Sequence, residues 1–254
     1  MSAQQYLESI LAKYNLTEGE VTNLKARRAN IENALRTVMG PKIETIYYSG
    51  SYAKGTAIRL GFDLDICLYF KPDSFGTLRE MYSAVLEVLK SQRLNFTPQT
   101  VSIHIDLGGT GIDVVPARSL GDGKGNANLY VMNRDTSLLT NIPVHKEYIS
   151  KSKARPTIKL MKVWRDLHSI HFKSFALELL VIKALENTSP DAALDHQFMT
   201  ALRFATEQTK QVRLIDPANS NNVVSDLIPE NDKANLQSQS AASITKKTWG
   251  EIVW

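Results

Sequence analysis

Hydrophobic and polar positions change period several times along this chain, and each change marks an element. Across residues 4–39 apolar side chains recur at helical spacing (Val21, Leu24, Ile31, Leu35, Val38), Thr17 and Glu20 form a capping-box pair, and Gly40-Pro41 stops the helix. Residues 43–48 read as a short strand running into a Gly50-Ser51 turn, after which a helix starts. In the next strand, residues 63–70, a period of two sends Asp63, Asp65, Cys67 and Tyr69 to one face and Leu64, Ile66, Leu68 and Phe70 to the other. Residues 78–90 form an amphipathic helix. Val101, Ile103, Ile105 and Leu107 then alternate with Ser102, His104 and Asp106, and a glycine-rich turn (Gly108, Gly109, Gly111) leads into Ile112-Asp113-Val114-Val115, which together read as a hairpin.

Residues 120–128, with three glycines, read as an exposed loop without a catalytic pattern. From Val144 the period becomes helical: residues 175–185 are apolar nearly all round, 215–222 form a polar turn, and 233–254 read as a last helix. The pattern predicts an α/β protein of two lobes. Residues 1–143 form a lobe with a mixed β-sheet, an N-terminal helix packs across both lobes, and residues 144–254 form a helical lobe.

Composition narrows the class without naming a function. With 43% hydrophobic and 22% charged residues this is an ordinary globular chain. The single cysteine, Cys67, excludes a disulfide framework and a multi-cysteine zinc module. No apolar run is long enough to span a membrane and no export signal opens the chain, so a cytoplasmic protein with no membrane association is expected. The net charge of +4 is mild, but it is unevenly placed. Between Val144 and Lys173 eight cations stand against Glu147 and Asp166, a local excess of six. On a helix after Pro156, Lys159, Lys162 and Arg165 share one face, read as meeting anions or water, and Leu160, Met161, Trp164 and Leu167 share the other.

Two aspartates one residue apart on a strand aim parallel carboxylates at one point. Their hard oxygens suit Mg²⁺, or Mn²⁺ in its place, and Asp63 and Asp65 would bridge two ions about 3.5–4 Å apart. A third carboxylate from a neighbouring strand would complete the site and accept the proton of an attacking hydroxyl; Asp113 fits, with Asp106 as its competitor. Gly50 lets the backbone approach a phosphate, Ser51 offers a hydroxyl at a helix start, and Lys159 and Lys162 offer charge for the outer phosphates. These are the parts that nucleotidyl transfer needs.

The order Gly-Ser, Asp-x-Asp and a third Asp resembles the polymerase-β-like nucleotidyltransferase superfamily. GSYAKGTAIRLGFDLDI, GIDVVPA, KLMKVW, FALELL and DPANSNN, in order from residue 50 to 222, resemble its oligoadenylate synthase and cyclic GMP-AMP synthase branch, including bacterial relatives that make cyclic oligonucleotide signals in anti-phage (CBASS) defence. The resemblance implies a polymerase-β-like core with a helical C-terminal lobe, and nucleotides lying between the lobes. It implies metal binding by Asp63, Asp65 and Asp113, with Asp113 also activating the acceptor hydroxyl. Ser51 and Lys162 then meet the triphosphate, and Phe175 stacks on a base where relatives often carry tyrosine, with Ser174 beside it counted among the nucleotide contacts. The substrates implied are ATP and a second NTP, and the product a cyclic di- or trinucleotide. The expected assembly is a monomer, with a regulatory protein or nucleic acid as activator.

Plainer readings stand beside these. Lys159 and Lys162 are also explained as a solvated face, Phe175 as core, Glu178 as the structural partner of a lysine, His104 as structural, and Cys67 as a small packing residue. Linear oligonucleotide synthesis or RNA tailing is the rival activity, and a non-catalytic nucleotide-binding regulator is the rival class.

Overall fold

A computed structural model describes residues 1–61, 63–107 and 111–254. In chain order it contains α1 (Ala3–Tyr14), α2 (Glu18–Met39), β1 (Ile43–Tyr48), α3 (Gly50–Lys54), β2 (Leu64–Phe70), α4 (Leu78–Ser91), β3 (Phe96–Pro98), β4 (Ile103–Asp106), β5 (Gly111–Ser119), β6 (Ala127–Val131) and β7 (Thr136–Thr140). There follow α5 (Ile142–Ser152), α6 (Arg155–Leu167), α7 (Ser174–Ala184), α8 (Leu194–Gln208), a small hairpin of β8 (Ile215–Asp216) and β9 (Asn219–Val223), and α9 (Glu230–Ile244). The chain divides into two compact units: Leu16–Lys54 with Gly61–Lys146, and Met1–Asn15 with Gly55–Leu60 and Glu147–Trp254.

In the first unit the described residues form a seven-stranded mixed sheet in the order β1-β2-β5-β4-β3, with β6 on β5 and β7 on β6. β2 and β5 run parallel, and the other pairs are antiparallel. The second edge of β5 is shared: β4 occupies its start, residues 111–114, and β6 its end, residues 117–119. Alternation along β2 works as the sequence predicts. Leu64, Ile66, Leu68 and Phe70 bury against Leu24, Ile31 and Leu35 of α2 and Met81, Val85 and Leu89 of α4. Cys67 and Tyr69 turn to a smaller cluster with Ala117, Ala127 and Leu129. Each large side chain so buried contributes about 1.5–3 kcal/mol, which fixes the register of β2 and hence the direction in which Asp65 points.

The second unit is helical around a core that includes Leu160, Trp164, Leu180, Phe198 and Leu236. α7 is buried continuously from Ala176 to Ile182, as its unbroken apolar run requires. Trp164 Nε1 donates to Ser243 Oγ at 2.9 Å, which satisfies the indole inside this core. Tyr6 and Tyr14 of α1 donate their hydroxyls to the carbonyls of Val253 and Trp254, tying the first helix to the last residues.

Three expectations about elements need correction. The helix over residues 4–39 is two helices, because Asn15 and Thr17 adopt extended backbone and Thr17 caps α2 by accepting from Glu20 N at 3.3 Å. The last helix does not run from 233 to 254: α9 ends at Ile244, and Thr248 begins a separate 3₁₀ turn, Trp249–Glu251, with its own capping box. The glycine-rich loop after Leu120 is exposed, as expected, but it leads into the paired strands β6 and β7, which the pattern had not distinguished. The expected turn at residues 108–110 lies outside the described residues, as does Phe62 of the aspartate motif.

Candidate active site

Asp65 and Asp113 are register partners on the parallel strands β2 and β5, so both side chains leave the same face of the sheet. Asp63 stands just before β2, and its Oδ1 accepts a 2.8 Å hydrogen bond from Gly111 N at the start of β5. The predicted trio therefore gathers at one end of two adjacent strands. Asp106, the competitor for the third place, sits exposed at the end of β4, opposite Gly111.

The Gly50 turn is built against this face. Ser49 N donates to Asp65 O at 2.9 Å, and the chain then turns through Gly50 with φ +58° into α3, where Ser51 lies in the first turn. A Cβ on Gly50 would lie 1.7 Å from Asp65 Oδ2, so a glycine is required both for the left-handed backbone and for this approach. The Ser49 side chain is only 5% exposed, and its hydroxyl has no hydrogen-bond partner among the described residues. A buried orphan hydroxyl opposite Asp65 is the kind of group that a substrate or a water satisfies.

His104 pairs with Asp113 across the antiparallel β4–β5 register, and its Nδ1 lies 2.8 Å from Asp113 Oδ1. Because a carboxylate accepts, Nδ1 is assigned the proton. Burial pushes the Asp113 carboxyl above its usual range, and the hydrogen bond from His104 offsets part of that rise. The same hydrogen bond raises His104. Burial, with Asp65 nearby, pushes the Cys67 thiol far up, which fits the packing role expected of it. Among the described residues no three His, Cys, Asp or Glu side chains already form a metal-ready cluster, and Asp63 and Asp113 each have one oxygen engaged within the protein.

The helical unit carries the other predicted residues. Lys162 is 2% exposed and Glu178 0%; Lys162 Nζ lies 2.7 Å from Glu178 Oε1 and donates to Thr56 Oγ1 at 3.1 Å, while Thr56 Oγ1 donates to Glu178 Oε1 at 2.5 Å. The single outward cationic face expected on α6 is thus corrected at Lys162. The buried stretch Leu160–Trp164 takes this lysine inside, where Glu178 supplies the charge that makes burial tolerable. Lys159 Nζ donates to Asn15 Oδ1 at 2.9 Å, and burial, reinforced by Arg155, lowers its pKa. Ser174 opens α7, and its hydroxyl accepts from Arg165 Nη1 at 2.9 Å; Phe175 is partly buried and packs against the helical core.

Sequence reasoning placed the aspartates and the Gly-Ser turn, and it named Glu178 as a lysine's partner. It passed over the hydroxyls of Ser49 and Thr56 and set His104 aside. The alternation of β4 does show that His104 shares a face with Asp106, but only the β4–β5 register sets it opposite Asp113.

Strand carboxylates gathered beside a Gly-Ser turn, on a mixed sheet, fit a nucleotidyltransferase. The model of the Second Messenger Oligonucleotide or Dinucleotide Synthetase domain matches residues 1–152, more than half of the chain, and the chain belongs to that family. It is 28% identical over 265 residues to the cyclic AMP-AMP-AMP synthase of Escherichia coli (strain MS 115-1), an alignment covering 90% of this chain and 82% of the relative. It is 26% identical over 196 residues to the CBASS oligonucleotide cyclase CdnC of E. coli (strain KTE188), covering 70% and 62%. The fold matches the E. coli MS115-1 CdnC:HORMA-deltaN complex with TM-score 0.77 at 20% identity, over 94% of this chain and 89% of that one. It matches the Bradyrhizobium diazoefficiens CD-NTase CdnG in complex with GTP with TM-score 0.78 at 12% identity, over 95% and 91%. The chain is therefore a nucleotidyltransferase of the bacterial CD-NTase class, as its motifs implied. No helix among the described residues is long and apolar enough to cross a membrane.

Proposed function

We propose that this enzyme joins NTPs, ATP among them, into a cyclic di- or trinucleotide in CBASS signalling, with release of pyrophosphate. The observation that carries the reading is the register pairing of Asp65 with Asp113, with Asp63 held at the same end of the sheet, in a chain that belongs to the oligonucleotide synthetase family. In each transfer the acceptor hydroxyl oxygen forms a bond to the α-phosphorus, the bond from that phosphorus to the bridging oxygen breaks, and pyrophosphate leaves. The hydroxyl proton passes to Asp113 in this reading.

The donor set fits Mg²⁺ or Mn²⁺: three carboxylates supply hard oxygen ligands, and the Gly50 cradle keeps bulk away from Asp65 Oδ2. A divalent ion held by Asp63, Asp65 and Asp113 would neutralise charge on the α-phosphate and on the attacking oxygen. Ser51 and Ser49 then offer hydroxyls to phosphate oxygens, and Lys159 and Ser174 are counted among the nucleotide contacts in this reading; Lys162, sealed against Glu178 and Thr56, is not. Phe175 supplies a ring for base stacking, without the phenolic hydroxyl that relatives often have at this place. A protein activator is favoured over a nucleic acid because a CdnC of the same fold was solved as a complex with HORMA-deltaN. We place the enzyme in the cytoplasm.

The experiment is direct. Purified protein is incubated with the four NTPs and Mg²⁺ or Mn²⁺, treated with phosphatase, and its products separated by mass; a resistant cyclic oligonucleotide is expected, whereas linear products alone would sink the cyclisation step.

A further inference from the structure

Two of the three carboxylates are held by neighbours that take no part in the bond changes of the reaction. His104 approaches Asp113 from the adjacent strand, with Nδ1 2.8 Å from Oδ1. The other side of its ring lies over Gly111: a Cβ there would fall 2.1 Å from His104 Cε1 and 2.9 Å from Nε2. Any larger residue at 111 would push the ring away, so the imidazole position depends on this glycine. The amide of the same Gly111 donates to Asp63 Oδ1 at 2.8 Å, and a Cβ at 111 would also stand 2.9 Å from that oxygen. One histidine and one glycine thus fix one oxygen each of Asp113 and Asp63.

We infer that His104 is the positioning residue for Asp113, holding one carboxylate oxygen so that the other faces the acceptor hydroxyl and the divalent ion. The inference rests on the proposed nucleotidyl transfer for its catalytic consequence. Its geometric part stands without it. A carboxylate on a short side chain can rotate about its last bond, and a hydrogen bond from a ring set close over Gly111 restricts that freedom. Partners that orient metal-binding carboxylates in this way change metal affinity as well as rate when they are removed. His104 touches neither substrate nor reacting atoms in this account; it acts through Asp113.

The test compares wild type with His104→Ala, His104→Gln and His104→Asn. Asparagine places an N–H close to where Nδ1 lies, glutamine carries its amide one bond further out, and alanine offers none. Two readouts are taken: kcat and KM for ATP with Mg²⁺, and Mn²⁺ affinity by electron paramagnetic resonance in the presence of a non-reactive NTP analogue. His104→Ala and His104→Gln are expected to lose on the order of 10–100-fold in kcat and in Mn²⁺ affinity, with KM changed by less than about threefold and with His104→Asn restoring most of both. Values for His104→Ala and His104→Gln within about threefold of wild type would overturn the inference, as would an asparagine variant as defective as alanine. If wild type itself makes no product, the functional reading fails, and the Mn²⁺ measurement still decides the role of His104. Should alanine unfold the sheet unit, the glutamine and asparagine pair carries the comparison.

Discussion

Lys162 of α6 and Glu178 of α7 face each other at 2.7 Å inside the helical unit, both sealed from solvent, with the Thr56 hydroxyl bonded to both. Removing Glu178 leaves the Lys162 ammonium in a low-dielectric core with the carbonyl and hydroxyl of Thr56 but without its counter-charge. Glu178→Ala is therefore expected to cost about 3–5 kcal/mol in chemical denaturation. A replacement of both residues by apolar side chains of similar volume should recover most of that loss. A Glu178→Ala variant within about 1 kcal/mol of wild type would show that the pair is not the structural brace described here.

Gly50 is constrained twice, by a left-handed backbone and by the Asp65 carboxylate. Gly50→Ala should destabilise the turn by about 1–3 kcal/mol from backbone strain alone. Because the added methyl must also displace Asp65, product formation should fall on the order of 100-fold, more than the stability change explains. Steady-state rates set beside a denaturation curve separate the two effects.

Cys67 is buried, and its thiol is pushed far above the ordinary range. A thiol reagent at mildly alkaline pH should leave the folded protein unmodified and should label it fully once denaturant is added. Rapid labelling of the folded protein would mean that β2 opens readily, contradicting the tight packing of the strand that carries Asp65.

Much of the candidate site was legible in the sequence because its residues lie in short local patterns. Asp63 and Asp65 announce themselves through period-two alternation, and the Gly-Ser turn through its small residues. What escaped the sequence needs contacts between distant segments. Lys162 looked outward because helical spacing groups it with Lys159 and Arg165, yet burial of the surrounding stretch decides its fate, and Glu178 lies on another helix. His104 gained meaning only from its register with Asp113. The break at Asn15–Thr17 was hidden for another reason: its capping pair was visible, but the apolar spacing on either side reads through it. Strands β6 and β7 are short, and neither burial pattern alternates cleanly.

The central claim is that Asp63, Asp65 and Asp113 together run nucleotidyl transfer to a cyclic product. One measurement tests it most directly: mass spectrometry of phosphatase-resistant products from an equimolar NTP mixture with Mg²⁺, for wild type and for the Asp63→Ala, Asp65→Ala double variant. The account predicts a cyclic oligonucleotide from the wild type and none above background from the double variant. A double variant that still makes the cyclic product, or a wild type that gives only linear chains, would contradict it.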